Sequence, residues 1–242
     1  MITTLFKTAY TFTGLSLALL AAGCASTGDK PQTTAAGAEQ PSRYKLADGR
    51  TVEIGKASPA DGGMSYKNPH LEKCWVASGF DFNGYDTLYI APTASTAKYN
   101  QKDEEVPLQL ARENLVTELK RALATKGMFP NIVTNEKEIK PGAKVLKLEN
   151  TILEYAKGGG AARYFAGIYG AGQPVLRVQG KATEGDKSLF AYEARRSGVS
   201  AGARMTGAFM KDVDIQYQDI QSLVLDLTDF MAIVAKKAPL RN

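Results

Sequence analysis

Between Lys7 and Cys24 the chain runs for sixteen residues, TAYTFTGLSLALLAAG, without a charged side chain. A single basic residue, an apolar centre (Leu15, Leu17, Leu19, Leu20) and small residues at the end match a secretory signal peptide. Sixteen residues is also short for a helix that crosses a bilayer, which needs about 20. Residues 1–23 are therefore read as a leader, and folding is a matter for the chain beyond it.

The leader ends in Leu20-Ala21-Ala22-Gly23-Cys24, which resembles the lipobox of bacterial lipoproteins; Ala21 stands where Leu is commoner. The resemblance implies cleavage before Cys24 and acylation of its thiol. Acyl chains contribute about 0.8 kcal/mol per buried methylene, so several on one cysteine hold a domain to a membrane. Ala25 and Ser26 follow, which by the same resemblance implies sorting to the outer membrane, facing the periplasm. Cys74 is then the one thiol left, no internal disulfide can form, and the core must stand on burial alone. Cys74 itself, beside Trp75, reads as a small buried hydrophobe.

Residues 24–43 carry no large apolar side chain and read as a disordered tether with a root-mean-square reach of roughly 25 Å. Without Lys7, 29 basic residues face 25 acidic ones, a balance too even and too dispersed for nucleic-acid binding.

Residues 44–242 suffice for one domain. Tyr44 to Ile54 predicts a small hairpin about Asp48-Gly49, and residues 55–73, with Pro59, Gly62, Gly63 and Pro69, read as loop. His70 lies there without a second ligand at metal spacing, so no metal site is expected. A strand is predicted over 85–91, ended by Pro92, then a helix from Pro107 to Gly127 with Leu108, Ala111, Leu115, Leu119 and Leu123 on one face. Strands follow over 129–134, 144–155, 175–184 and 188–199, the last two joined by Gly185-Asp186-Lys187, and a second helix over 215–237. The expectation is a single α/β domain, β-α-β-β-β-β-α after the hairpin, with a mixed, mostly antiparallel sheet and helices on one face.

The candidate functional segment is GGGAARYFAGIYGAG, residues 158–172, with six glycines in fifteen positions. It is not a phosphate loop, because Gly172 is followed by Gln173-Pro174 and a strand rather than Lys-Ser/Thr and a helix. Nor is it a dinucleotide fingerprint, since Arg163 stands where a third glycine is needed. No glycine zipper exists either. Two readings remain open: a glycine-kinked strand, or a loop presenting Tyr164, Phe165 and Tyr169 to a partner or bilayer. An antiparallel meander over 144–199 would bring it beside a second glycine-rich segment, residues 195–212, gathering Arg163, Arg195, Arg196, Arg204 and Phe209 at one end. Arginine and aromatics among small residues suit interfaces, so Arg163, Tyr164, Phe165, Tyr169, Arg204 and Phe209 are the expected contact residues.

With the preceding LENTILEY strand, this segment resembles the start of the first membrane hairpin in the curli-secretion channel lipoproteins. It is also similar to a domain-of-unknown-function family of Gram-negative lipoproteins with the same arginine-aromatic-glycine signature. The channel family implies a periplasmic α/β unit whose hairpins, contributed by neighbouring subunits, build a membrane barrel. Residues 157–173 number seventeen, below the roughly twenty plus a turn of a spanning hairpin. The expectation is a non-enzymatic envelope lipoprotein, without cofactor or nucleotide, binding a protein partner or its own copies; the alternative is a secretion-channel or pore subunit.

Overall fold

The computed structural model describes residues 42–46, 49–68, 70–97, 105–159, 172–197 and 211–235. By its internal contacts the chain divides into residues 1–38 and 39–242, and every described residue belongs to the second unit.

The domain opens with the expected hairpin, β1 (Ser42–Lys45) against β2 (Thr51–Ile54), and Gly49 supplies the positive φ of its turn at +88°. Asp48 lies outside the described residues. Residues 55–73 are not the loop their prolines and glycines predict. They hold β3 (Ala57–Ala60) and β4 (Gly63–Tyr66), joined by a tight Asp61-Gly62 turn, and lead into β5 (Lys73–Ala77). Pro59 is tolerated because β3 is an edge strand, paired on one side only.

β6 (Thr87–Ile90) is the first parallel strand, and Pro92 interrupts it rather than ending it: β7 (Ala94–Ser95) resumes pairing on the same neighbour. Helix α1 (Glu105–Thr125) begins two residues before the expected Pro107. Its end is a Schellman closure, with Met128 N–H donating to the Leu123 carbonyl (3.2 Å) and Gly127 N–H to that of Ala124 (3.0 Å). Gly127 takes φ +60°, the left-handed conformation such a closure requires. β8 (Asn131–Val133), β9 (Val145–Ala156), β10 (Val175–Glu184), β11 (Lys187–Arg196) and α2 (Asp212–Val234) complete the chain.

Among the described residues the main sheet has nine strands, in the order β3-β4-β5-β11-β10-β9-β6-β8, with β7 beside β9. The β3-to-β9 half is antiparallel; β6 runs parallel to both β8 and β9, α1 forming the crossover between β6 and β8. The mixed α/β fold expected from the sequence is therefore present, enlarged by β3, β4 and β5.

One sheet face carries the core. Leu88, Ile90, Leu146, Leu148, Ile152, Val178 and Phe190 meet Leu115, Leu119, Leu123, Leu223, Leu227 and Phe230 of the helices, all with essentially no solvent access. The other face is a field of ion pairs: Glu149 is shared by Lys147 of its own strand (2.9 Å) and Lys181 of β10 (3.3 Å), and across strands Lys73 meets Glu193 (3.3 Å), which also pairs with Arg177. Alternation along β9, β10 and β11 sorts the two chemistries to opposite sides.

Candidate functional site

The register places the flanks of both glycine-rich segments together. Tyr155 of β9 pairs with Leu176 of β10, and Leu176 with Arg196 of β11, so the exit of β9, the entry of β10 and the exit of β11 lie at one end of the sheet. Beyond the strands Gly159 N–H still donates to the Gly172 carbonyl at 2.9 Å. The start of α2 is fastened there too: Tyr155 OH donates to Gln216 Oε1 at 2.7 Å, and Gln216 Nε2 to the Ala156 carbonyl at 3.2 Å. The connection from β7 to α1 opens at the same end, where Ser95 and Ala97 line one cavity with Val106, Leu108 and Leu110.

Arg163, Tyr164, Phe165, Tyr169, Arg204 and Phe209 lie outside the described residues, as does Cys24. Of the arginines expected at this end, Arg196 turns inward. It is 5% exposed, donates to the His70 carbonyl (2.7 Å) and pairs with Asp226 (2.6 Å). The signal was in the alternation, since Tyr192, Ala194 and Arg196 share a strand face with the core. Burial holds the Asp226 carboxyl above its ordinary range although Arg196 pulls it down. Arg195 stays on the open face, 3.4 Å from Glu154.

Apolar side chains are exposed around this end. Val106 (68%) and Leu110 (41%) stand one turn apart at the start of α1, and Val213 (44%) and Tyr217 (37%) one turn apart at the start of α2. The two helices meet where Tyr217 OH donates to Glu118 Oε1 at 2.7 Å, with Arg121 2.5 Å from the other oxygen. Burial alone would raise the Glu118 carboxyl, but the Arg121 and Tyr217 hydrogen bonds outweigh it and hold it below its usual range.

A groove runs beside this patch, between residues 92–97 and the N-terminal half of α1. Two adjoining cavities of about 290 and 610 Å³ share Gln109, Arg112 and Glu113. Nothing in the sequence marked it. Among the described residues no group of three or more His, Cys, Asp or Glu side chains is placed to hold a metal, and no helix is long and apolar enough to cross a membrane.

No family model matches the sequence, and no curated protein does. Among solved structures, a PelC dodecamer from Paraburkholderia phytofirmans is similar at 12% identity and TM-score 0.41, over 63% of this chain and 96% of that one. Protein XCC0632 from Xanthomonas campestris, described as DUF330, is similar at 13% identity and TM-score 0.39, over 66% and 91%. A neuraminyllactose-binding hemagglutinin homolog from Helicobacter pylori is similar at 7% and 0.34, over 64% and 87%. At these values the likeness assigns no function.

Proposed function

We propose that this chain is a non-enzymatic lipoprotein, anchored to the outer membrane through acylated Cys24 and facing the periplasm, that binds an envelope protein partner or further copies of itself. The contact surface is the sheet end from which both glycine-rich segments leave. One observation carries this reading: exposed Val106, Leu110, Val213 and Tyr217 surround the point where residues rich in arginine, aromatics and glycine enter and leave the sheet. Fixed apolar side chains beside such segments suit a protein interface.

The Gly159–Gly172 hydrogen bond, which continues the β9–β10 pairing past both strands, favours a second reading as a channel subunit whose hairpin extends that ladder. The native mass of the lipidated protein in mild detergent separates the two. A symmetric multimer of about eight or more subunits supports the channel; a monomer or a defined hetero-complex supports the tethered binding protein. In either case Tyr164→Ser with Phe165→Ser is expected to abolish cross-linking in the envelope while leaving the circular dichroism spectrum unchanged. Undiminished cross-linking overturns the assignment of the contact surface.

A further inference from the structure

The groove beside α1 has a chemistry that partner binding does not use. Arg112 reaches off its helix to donate Nε–H to the Thr93 carbonyl at 2.7 Å, which fixes the guanidinium at the cavity wall. Its Nη1 donates to Gln109 Oε1 (2.9 Å), and Gln109 Nε2 donates in turn to Glu113 Oε1 (2.6 Å). A cation and an anion thus stand in one cavity, separated by a single side-chain amide, and neither makes an ion pair among the described residues. The guanidinium keeps donors in hand, and the carboxylate keeps its second oxygen.

The wall holds a further unspent group. Thr93 is 2% exposed and lines the cavity, yet its Oγ1 has no hydrogen-bond partner among the described residues. A buried hydroxyl left unbonded costs stability, so such groups call for an explanation, and a ligand that completes the bond is one. Thr134 adds another hydroxyl, while Pro92 and Val116 give the cavity an apolar side.

We propose that this groove binds a small zwitterion with an apolar side chain, of the class of the aliphatic α-amino acids. The Gln109 amide already shows the required polarity, an acceptor toward Arg112 and a donor toward Glu113. An amino acid offers the same arrangement with full charges, its carboxylate on Arg112 and the threonine hydroxyls, its ammonium on Glu113, its side chain against Val116 and Pro92. A cavity of about 290 Å³ is near the lower end of ligand pockets and suits a ligand of that size. This inference stands apart from the interface reading and does not depend on the oligomeric state.

The test is calorimetric titration of the full, detergent-solubilised chain with L-leucine, with leucinamide, which lacks the carboxylate, and with 4-methylpentanoate, which lacks the ammonium. Leucine is expected to saturate one site in the millimolar range or below, and each analogue to bind at least about tenfold more weakly. Glu113→Gln, at an exposed position, is expected to weaken leucine about tenfold and to leave 4-methylpentanoate unchanged. Thr93→Val carries the sharper signature: it weakens leucine binding while raising the melting temperature of the unliganded protein, because it deletes an unpaired hydroxyl. Absence of saturation by leucine, equal binding of leucinamide, or leucine binding indifferent to both substitutions overturns the proposal.

Discussion

Gly180 sits in register between Tyr192 on β11 and Asn150 on β9, and the tyrosine ring leans across it to donate its hydroxyl to Asn150 Oδ1 at 2.7 Å. A Cβ at position 180 would lie 2.1 Å from Tyr192 Cε1 and 2.7 Å from Asn150 Oδ1. Neither neighbour can retreat, since both are buried beneath α2. Gly180→Ala is therefore expected to cost about 3 kcal/mol, at the upper end of overpacking effects, read as a fall in the urea midpoint. The hydroxyl bond alone is a smaller matter: Tyr192→Phe leaves the Asn150 oxygen buried without its donor, at a cost of about 1–3 kcal/mol. This pairing was not legible in the sequence, where Gly180 is one glycine in an alternating strand. It depends on a cross-strand register that brings together residues 30 and 12 positions away.

At the scale of elements, the hairpin that precedes the sheet is held by charge as well as by Leu46 and Ile54. Asp229, 1% exposed on α2, receives Arg50 from the hairpin and Lys126 from the end of α1, both at 2.5 Å. Asp229→Asn keeps the shape but leaves two cations facing a neutral amide. The expected outcome is a loss of about 1–3 kcal/mol, with amide exchange accelerating first in β1 and β2. Retained protection in those strands would show that the apolar contacts suffice. The helices and long strands were legible because their periodicity is local: Leu108 to Leu123 and Ile220 to Phe230 declare their buried faces without reference to anything distant. β3, β4 and β5 were not. β3 and β4 are four residues each, β3 carrying Pro59 and β4 opening on Gly63, and β5, five residues long, joins them to the rest of the sheet by pairing Val76 with Phe190 across the chain. Gln216 lies on the stripe of Ile220, Leu223 and Leu227, so its inward role could have been anticipated; the groove at Thr93 could not, because no pattern signals a missing partner.

For the whole molecule, buried acids of high pKa set an alkaline limit. Burial pushes the Cys74 thiol up to about 12 from an ordinary 9.0, and burial, with the nearby Cys74 charge, pushes the Tyr192 phenol up from 10.0. Below these ordinary values folded and unfolded chains hold the same protons. Above them the unfolded chain releases protons that the folded one retains, so stability falls as pH rises from about 9 through 12. Each retained proton costs about 1.4 kcal/mol per pH unit. The urea midpoint should therefore drop between pH 9 and 11, and Cys74→Ala should blunt the first part of that drop; a flat profile would contradict the burial of both groups.

The molecule also has two unlike poles. At one, β3 and β4 and then β10 and β11 are closed by two-residue turns at Asp61-Gly62 and Gly185-Asp186, where an added residue would shift a register. At the other, β7, β9 and β11 end and β10 begins, and this end is pinned by Gln216 and by Arg196 with Asp226. An insertion is therefore least forgiving at the first pole, where one residue gained or lost turns a strand's buried side chains out to solvent and brings its charges into the core.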